Sequence, residues 1–318
     1  MTNILITGGN GFVGSNLTNY LINNCYKVDI LDISEPKNPR VGNWIIWEKL
    51  TIDLLNNYDV VIHLAGKAHD TKNKSLVEEY FKINTQLTQR IFDKFINSKA
   101  KKFIFFSSVK AVADSVNEEV LVEEVVPSPI GPYGESKLLA EKYINEVIVK
   151  SRSLIEDKSI YILRPCMIHG PGNKGNLNLL YSIVKKGIPW PLGSYENLRS
   201  FTSIDNLNFI IDKFIENEVP SGVYNISDDH PLSTNQLIEL ICKSTNKKPR
   251  IIKINKRIIA LVAKISDTLR LPLNSQRLKK LTENYIVSNT KLKNSIGVDE
   301  LPTTPEEGLT KTIESFNK

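Results

Sequence analysis

Cysteine, methionine and tryptophan are scarce in this 318-residue chain, which has three, two and three of them. The three cysteines, Cys25, Cys166 and Cys242, are odd in number and never spaced as Cys-x-x-Cys. A disulfide framework and a zinc site are therefore both disfavoured, and we expect ordinary core cysteines. No set of His, Cys, Asp and Glu residues has the spacing of metal ligands, so no metal site is predicted.

The sequence also lacks long apolar runs. A membrane span needs roughly 18 to 20 consecutive apolar residues, and no run approaches that length. A strand-like pattern begins by Asn3 and leaves no room for a signal peptide, so a cytoplasmic protein is expected. Apolar residues at 41% and charged residues at 24% exclude a disordered or collagen-like chain, and the length is typical of about two lobes.

Basic residues exceed acidic ones by 41 to 35, but the surplus is concentrated in one segment. Residues 243–280 contain twelve Lys or Arg and a single acid, Asp267. Within this segment, residues 256–271 have the pattern of an amphipathic, cationic helix. The favoured interpretation places its apolar face in the core, and transient docking on an anionic membrane surface is the alternative hypothesis. Nucleic-acid binding is not expected because the segment lacks interleaved aromatic residues.

Short apolar runs alternate with helical periodicity along the first half of the chain. The pattern predicts strands at 4–6, 27–31, 59–64, 102–106 and 160–163, and helices at 15–24, 76–97 and 133–150. Such alternation is typical of an α/β protein with a doubly wound parallel sheet. Glycine and proline crowd together after residue 170, where a second, smaller lobe is predicted to begin.

Three glycines mark the junction of the first strand and the first helix. Gly8, Gly11 and Gly14 are spaced three apart, which lets the backbone turn sharply and approach a pyrophosphate at the helix N-terminus. Asp32 follows at the end of the second strand, where a carboxylate hydrogen-bonds the adenosine ribose and repels a 2′-phosphate. The pattern predicts a dinucleotide site that prefers NAD. Because Lys37 and Arg40 are close to Asp32 in the sequence, NADP binding remains the alternative.

A second group of residues carries acid-base chemistry. Tyr133 and Lys137 form a Tyr-x-x-x-Lys pair at the start of a helix, and this spacing places both side chains on one helix face. An ammonium about 4 Å from the phenol would lower its pKa by about 3 units. Ser108, at the end of a strand, is expected to hold the reacting oxygen while Tyr133 transfers its proton.

At this point the sequence resembles the extended short-chain dehydrogenase/reductases, specifically the NAD-dependent nucleotide-sugar epimerase/dehydratase family. The resemblance rests on motifs in family order: Thr7 to Gly14, His63-Leu64-Ala65-Gly66, Asn84, Ser107-Ser108, Pro132 to Lys137, Leu163-Arg164-Pro165, Gly170-Pro171-Gly172 and Arg199 to Asp205. It implies a Rossmann NAD-binding domain over residues 1–169. Residues 170–318 then form mainly a nucleotide-sugar-binding lobe, with a return strand to the sheet at 222–226.

The resemblance also implies residue roles. Ser108, Tyr133 and Lys137 are expected to be catalytic, and Ser108, Asn176 and Arg199 to contact a nucleoside diphosphate sugar. Lys67 and His69 are further candidates for the substrate side. The expected cofactor contacts are Gly8, Gly11, Phe12, Val13, Gly14, Asp32, Asp53, Leu64, Ala65, Gly66, Asn84, Tyr133 and Lys137. A homodimer formed through helices 76–97 and 133–150 is implied as well.

Three functions remain open from the sequence. The first is a 4-epimerase acting on a UDP-hexose or UDP-N-acetylhexosamine through a 4-keto intermediate, in surface-polysaccharide precursor synthesis. The second is an NAD(P)H-dependent reductase of a UDP-4-keto-6-deoxy sugar. The third is a non-catalytic dinucleotide-binding protein, which the tyrosine and lysine disfavour. Dehydration is disfavoured because Val109 and Lys110 stand where the dehydratases of the family have an Asp-Glu pair.

Overall fold

The computed structural model describes residues 1–67, 76–116, 119–173, 175–269 and 274–316. The strands in these ranges are β1 (Asn3–Thr7), β2 (Lys27–Leu31), β3 (Trp44–Ile45), β4 (Val60–His63), β5 (Lys102–Phe106), β6 (Ser159–Pro165), β7 (Met167–His169), β8 (Leu198–Arg199), β9 (Phe201–Ser203), β10 (Gly222–Ile226) and β11 (Leu232–Ser233). Seven of them form one sheet in the order β10-β6-β5-β4-β1-β2-β3, and every pairing is parallel. The predicted doubly wound parallel sheet is confirmed.

The helices of the described ranges are α1 (Phe12–Asn23), α2 (Ile52–Leu55), α3 (Val77–Tyr80), α4 (Leu87–Ile96), α5 (Pro132–Lys150), α6 (Arg152–Ile155), α7 (Asn176–Lys185), α8 (Ile204–Glu216), α9 (Thr234–Ser244), α10 (Lys256–Leu269), α11 (Ser275–Thr282), α12 (Thr290–Ile296) and α13 (Pro305–Ser315). Those that follow the strands cover both faces of the sheet. Leu17 of α1 and Phe214 of α8 pack on one face, and Phe92 of α4 and Ile144 of α5 pack on the other. Because both faces are buried, the strands are almost continuously apolar.

The helical segment predicted over 76–97 is interrupted in the structure. Between α3 and α4, residues Phe81–Gln86 form a π-helical turn, and the residues at both junctions keep helical backbone angles. A π turn inserts an extra residue into the helix and rotates the side chains that follow it. The buried Asn84 lies inside this turn.

After β6, several short strands and helices pack in apolar clusters separate from those of the main sheet, and the division into two lobes stays a prediction. β8 pairs with β11, and β7 pairs with β9. The strand β10 pairs with β6 at the edge of the main sheet, so the chain returns to this sheet at the strand predicted over 222–226. The glycine turn, Asp32, the loop that begins at Leu64 and Ser108 follow the carboxyl ends of β1, β2, β4 and β5, where ligands bind in open α/β sheets.

The cysteines are not all in the core. Cys166 and Cys242 are buried, whereas Cys25 is exposed with φ +64° in the turn between α1 and β2. The expectation of three core cysteines is therefore wrong for Cys25, because the residue follows the last turn of α1 on the surface. In the described ranges, no helix is both long and apolar enough to cross a membrane.

Candidate active site

The glycines after β1 are required by close contacts of the backbone. Gly8 has φ +75°, and a Cβ at this position would lie 2.6 Å from the main-chain nitrogen of Ala65. A Cβ on Gly14 would overlap the carbonyl oxygen of Gly8 and lie 2.7 Å from the Cα of Gly9. Only residues without a side chain allow β1, the turn and α1 to pack this closely. The glycines therefore form a compact backbone turn at the start of α1, which we call the glycine cradle.

The N-terminus of α1 is available to an anion. Gly11 is its N-cap and has no side chain to cap the first turn, and among the described residues that turn contains no acidic side chain. Phe12 begins the helix, and its ring lies 3.8 Å from the position of a Cβ on Gly172. Val13 packs against the core instead. The uncapped amides and the helix dipole suit a phosphate group, beside the loop that contains Gly172.

Asp32 lies directly beyond the end of β2 and is fixed by the backbone. One carboxylate oxygen accepts a hydrogen bond of 2.9 Å from the amide of Asn10, and the other accepts one of 2.7 Å from the amide of Ile33. The carboxylate is thereby held beside the glycine turn, as a ribose contact requires. Asp53 is exposed in the first turn of α2, and its assignment to the cofactor site stays a prediction.

Asn84 connects the loop after β4 to helix α5. Its side-chain oxygen accepts from the amide of Lys67 at 2.7 Å, and its side-chain nitrogen donates to the carbonyl of Lys67 and to the hydroxyl of Ser136. The loop also contains Leu64, Ala65 and Gly66, three of the expected cofactor contacts, and a Cβ on Gly66 would lie 3.1 Å from the side chains of both Asn84 and Lys137. Lys67 itself pairs with Glu79, and His69 lies outside the described residues.

The three expected catalytic residues converge. Ser108 follows β5 and is buried, and its side chain is hydrogen-bonded to the phenol of Tyr133 at the start of α5. Lys137, one turn further along α5, is also buried and donates a hydrogen bond of 2.7 Å to the carbonyl of Phe106. The end of β5 and the first turns of α5 therefore place a hydroxyl, a phenol and an ammonium in one site.

The pKa of Tyr133 departs from the sequence-based expectation. Burial raises the pKa of the phenol because the phenolate loses hydration, while the hydrogen bond from Ser108 acts in the opposite direction. Burial also lowers the pKa of Lys137 to about 8, although the nearby charge of Glu141 opposes this shift. The lysine alone does not lower the pKa of Tyr133 here, because desolvation dominates and the amine is directed to the carbonyl of Phe106.

A buried ion pair behind the catalytic residues was not anticipated. Arg164, in β6, forms two-pronged hydrogen bonds to Glu141 of α5, with Nη2 to Oε2 at 2.6 Å and Nε to Oε1 at 3.0 Å. The hydroxyl of Ser107 is also hydrogen-bonded to Glu141. The sequence signal was a glutamate one helical turn after Lys137, on the face of α5 that meets the sheet. The pair connects α5 to β5 and β6 directly beside Ser108.

His63 is a second feature that residue patterns did not single out as part of the site. It ends β4 and is completely buried, with Nδ1 2.7 Å from the hydroxyl of Thr7 and Nε2 2.8 Å from that of Thr88. Burial, reinforced by the charge of Lys137, lowers the pKa of His63 to about 3. The neutral ring links the end of β1 to α4.

Asn176 and Arg199, the expected substrate contacts other than Ser108, differ in their surroundings. Asn176 is exposed at the first residue of α7. Arg199 of β8 donates from Nη2 to the carbonyl of Lys280, and its buried Nε has no hydrogen-bond partner among the described residues. Burial lowers the pKa of this guanidinium. A buried guanidinium NH with no protein acceptor fits a diphosphate oxygen.

These features define a class of protein. A glycine cradle at a helix N-terminus, a carboxylate beyond the end of the second strand and a Ser-Tyr-Lys group at the sheet edge fit an NAD-dependent enzyme of the extended short-chain dehydrogenase/reductase type. In the described part of the chain, no group of three or more His, Cys, Asp or Glu residues is placed to hold a metal ion.

Comparisons with known proteins support the same class of enzyme. The chain belongs to the NAD-dependent epimerase/dehydratase family, whose sequence profile matches residues 4–227. It is 30% identical to a UDP-glucose 4-epimerase of Vibrio cholerae, over 98% of this chain and 95% of the relative. It is 27% identical to an N-acetyl-alpha-D-glucosaminyl-diphospho-ditrans,octacis-undecaprenol 4-epimerase of Escherichia coli O157:H7, over 98% and 94%. The crystal structure of UDP-glucose 4-epimerase from Thermotoga maritima with UDP-glucose matches with a TM-score of 0.73, at 25% identity over 99% and 98% of the two chains.

Proposed function

We propose that this protein is an NAD-dependent 4-epimerase of a nucleoside diphosphate sugar, with a UDP-hexose or UDP-N-acetylhexosamine as the substrate class. The observation that carries the proposal is the convergence of Ser108, Tyr133 and Lys137 beside the glycine cradle. The named relatives act on UDP-glucose or on a diphosphate-linked N-acetylglucosamine. An assignment to surface-polysaccharide precursor synthesis is part of the same proposal.

Several side chains of the site have separate roles in the reaction at the sugar C4. Tyr133 takes the proton of the 4-hydroxyl and later returns it to the oxygen, while Ser108 donates a hydrogen bond that keeps this oxygen in reach. Lys137 places a buried positive charge beside the site, and the nearby charge of Glu141 favours the protonated amine. NAD⁺, when bound, supplies the acceptor and donor of hydride and a positive ring charge that favours the phenolate. Gly8, Gly11 and Gly14 form the backbone cradle that would hold its pyrophosphate.

The diphosphate of the substrate is assigned to the smaller lobe. Arg199 offers a buried NH that has no hydrogen-bond acceptor within the described part of the chain, which supports a role in binding phosphate oxygen. Asn176 is a second candidate, because it is the first residue of α7 and is exposed.

We further propose a cytoplasmic homodimer that pairs through the α4 and α5 surface. The two helices are joined by a hydrogen bond of 2.6 Å between Tyr143 and Asp93, and α5 exposes Leu139 and Val149. Sedimentation velocity tests this association. A purely monomeric species at micromolar concentration contradicts it, as does a dimer that persists after Leu139→Glu.

The experiment for the activity is a panel of UDP-sugars incubated with the enzyme, with and without added NADH. Products are separated by chromatography, and absorbance is followed at the nicotinamide band. An epimerase interconverts C4 epimers without consuming added NADH, whereas a 4-ketoreductase consumes one NADH for each product. Stoichiometric NADH consumption, or no turnover of any sugar in a protein that binds NAD, contradicts the proposal.

A further inference from the structure

Helix α10 has two apolar faces, and the residues that the structure describes cover only one of them. On its inner face, Ile259 and Ala263 are buried in a cluster with Leu192 and Leu278. A second set of large apolar side chains is 48% to 59% exposed. This set, which we call the outer stripe, consists of Ile258, Leu261, Val262 and Ile265.

The spacing of the outer stripe is that of one helix face. Its members stand at i, i+3, i+4 and i+7, so their side chains form a continuous row rather than scattered exposed residues. The sequence-based interpretation, with one apolar face in the core and charged residues in water, therefore accounts for only half of α10. Because the inner face already anchors the helix, the outer stripe is not needed to hold α10 in place.

The surroundings of the outer stripe are strongly basic. Arg257 and Lys264 are exposed one turn before and three residues after Leu261, beside the stripe. Twelve Lys or Arg against one acid give residues 243–280 a net charge of +11. The single acid, Asp267, is engaged by the amide and hydroxyl of Ser275 at the start of α11.

We propose that the outer stripe docks on the surface of an anionic phospholipid bilayer. A helix with an apolar row flanked by cations lies in the membrane interface, with its apolar face among the acyl chains and its charges at the headgroups. A second copy of this chain is a poor match, since two surfaces of high positive charge repel. Nucleic acid offers the negative charge but no apolar region to cover four aliphatic side chains.

Docking would place the smaller lobe, including its candidate substrate residue, at the membrane. Leu278 of α11 packs against α10, and the main-chain carbonyl of Lys280 in the same helix accepts a hydrogen bond from Arg199. The inference goes beyond the proposed function and does not depend on it, because vesicle binding is measured without substrate or turnover.

The test is co-sedimentation of the full-length protein with vesicles of phosphatidylcholine, with and without phosphatidylglycerol, at physiological salt. The wild type is expected to bind the anionic vesicles. Leu261→Gln with Ile265→Gln should weaken binding about a hundredfold, since each exchange removes an apolar side chain from the interface. Arg257→Ser with Lys264→Ser should weaken it about fivefold per lost cation, and high salt should weaken wild-type binding. Leu154→Gln, at a residue 46% exposed on α6, is the matched control and should bind like the wild type.

Each other result overturns the proposal. Absence of wild-type binding excludes a membrane surface as the partner. Unchanged binding of the Leu261→Gln, Ile265→Gln variant assigns the interaction to another part of the molecule, and equal binding to neutral vesicles removes the role of charge. If the same variant changes only the oligomeric state in sedimentation velocity, the outer stripe contacts a second copy of the chain. Circular dichroism of each variant establishes that it is folded.

Discussion

The amine of Lys137 donates a hydrogen bond of 2.7 Å to the main-chain carbonyl of Phe106, at the end of β5. The next two residues in the chain are Ser107 and Ser108, so this bond fixes the distance between α5 and the serine that contacts the phenol of Tyr133. The lysine thus has a structural role in the site in addition to its charge. Its buried position also explains why the pKa of its ammonium falls to about 8.

The first prediction concerns the phenol of Tyr133. Tyr133→Phe removes the group that exchanges a proton with the sugar oxygen, and kcat should fall about 10² to 10⁴-fold. The affinity for NAD, measured by calorimetry, should remain close to that of the wild type because the glycine cradle is intact. Tyr26→Phe, which removes a hydroxyl directed to Glu216 away from the site, is the control and should retain full turnover. Activity of the Tyr133 variant at the wild-type level refutes the assignment.

A second prediction concerns cofactor choice. Asp32→Asn keeps the oxygen that accepts from Asn10 but removes the charge that repels a 2′-phosphate, so the NADP-to-NAD affinity ratio should rise at least about tenfold. Dissociation constants for both cofactors measure this ratio. The matched variant Asp53→Asn should leave the ratio unchanged and weaken both affinities. If it weakens neither, Asp53 does not belong to the cofactor site.

The third prediction concerns acid stability. The pKa of His63 is about 3 in the folded protein and near 6.5 when unfolded, so the unfolded chain binds a proton that the native protein excludes. The stability from the neutral ring is complete above about pH 6.5 and is lost as the pH falls towards 3. Over this window the wild type should lose up to about 1.4 kcal/mol per pH unit more than His63→Gln. Urea unfolding at a series of pH values measures the two slopes, and parallel curves contradict the prediction.

A fourth prediction concerns the ion pair between Glu141 and Arg164. Glu141→Gln leaves a buried guanidinium without its counter-charge and should cost about 3 to 5 kcal/mol in the free energy of unfolding. Arg164→Met should have a comparable cost, and the double variant should cost clearly less than the sum of the two.

The control for this pair lies on the same helix. Glu146 and Lys150 form an exposed ion pair at 3.6 Å, and Glu146→Gln should cost less than about 1 kcal/mol because water screens the charges. Chemical denaturation of all four variants measures these values. Strictly additive costs for Glu141 and Arg164 would show that the two side chains do not stabilise each other.

Local patterns in the sequence were sufficient for the main elements of the fold. The predicted strands 27–31 and 102–106 match β2 and β5, because short apolar runs between turn residues describe a buried parallel strand without reference to the rest of the chain. The glycine turn was equally predictable, because the spacing of its glycines follows from the local backbone conformation that they allow. The placement of Tyr133 and Lys137 on one helix face followed from the helical repeat of the sequence.

Only the tertiary structure decided how the site is supported and what the surface exposes. The bond network of Asn84, the neutral state of His63 and the pairing of Glu141 with Arg164 join residues that are far apart in sequence. The direction of the pKa shift of Tyr133 depends on burial, which periodicity does not measure. In α10 the sequence determined an amphipathic helix, but which apolar side chains are covered depends on what packs against it. Contacts between elements that are far apart in sequence determine which groups are buried. Burial in turn determines the hydration of those groups and their protonation state.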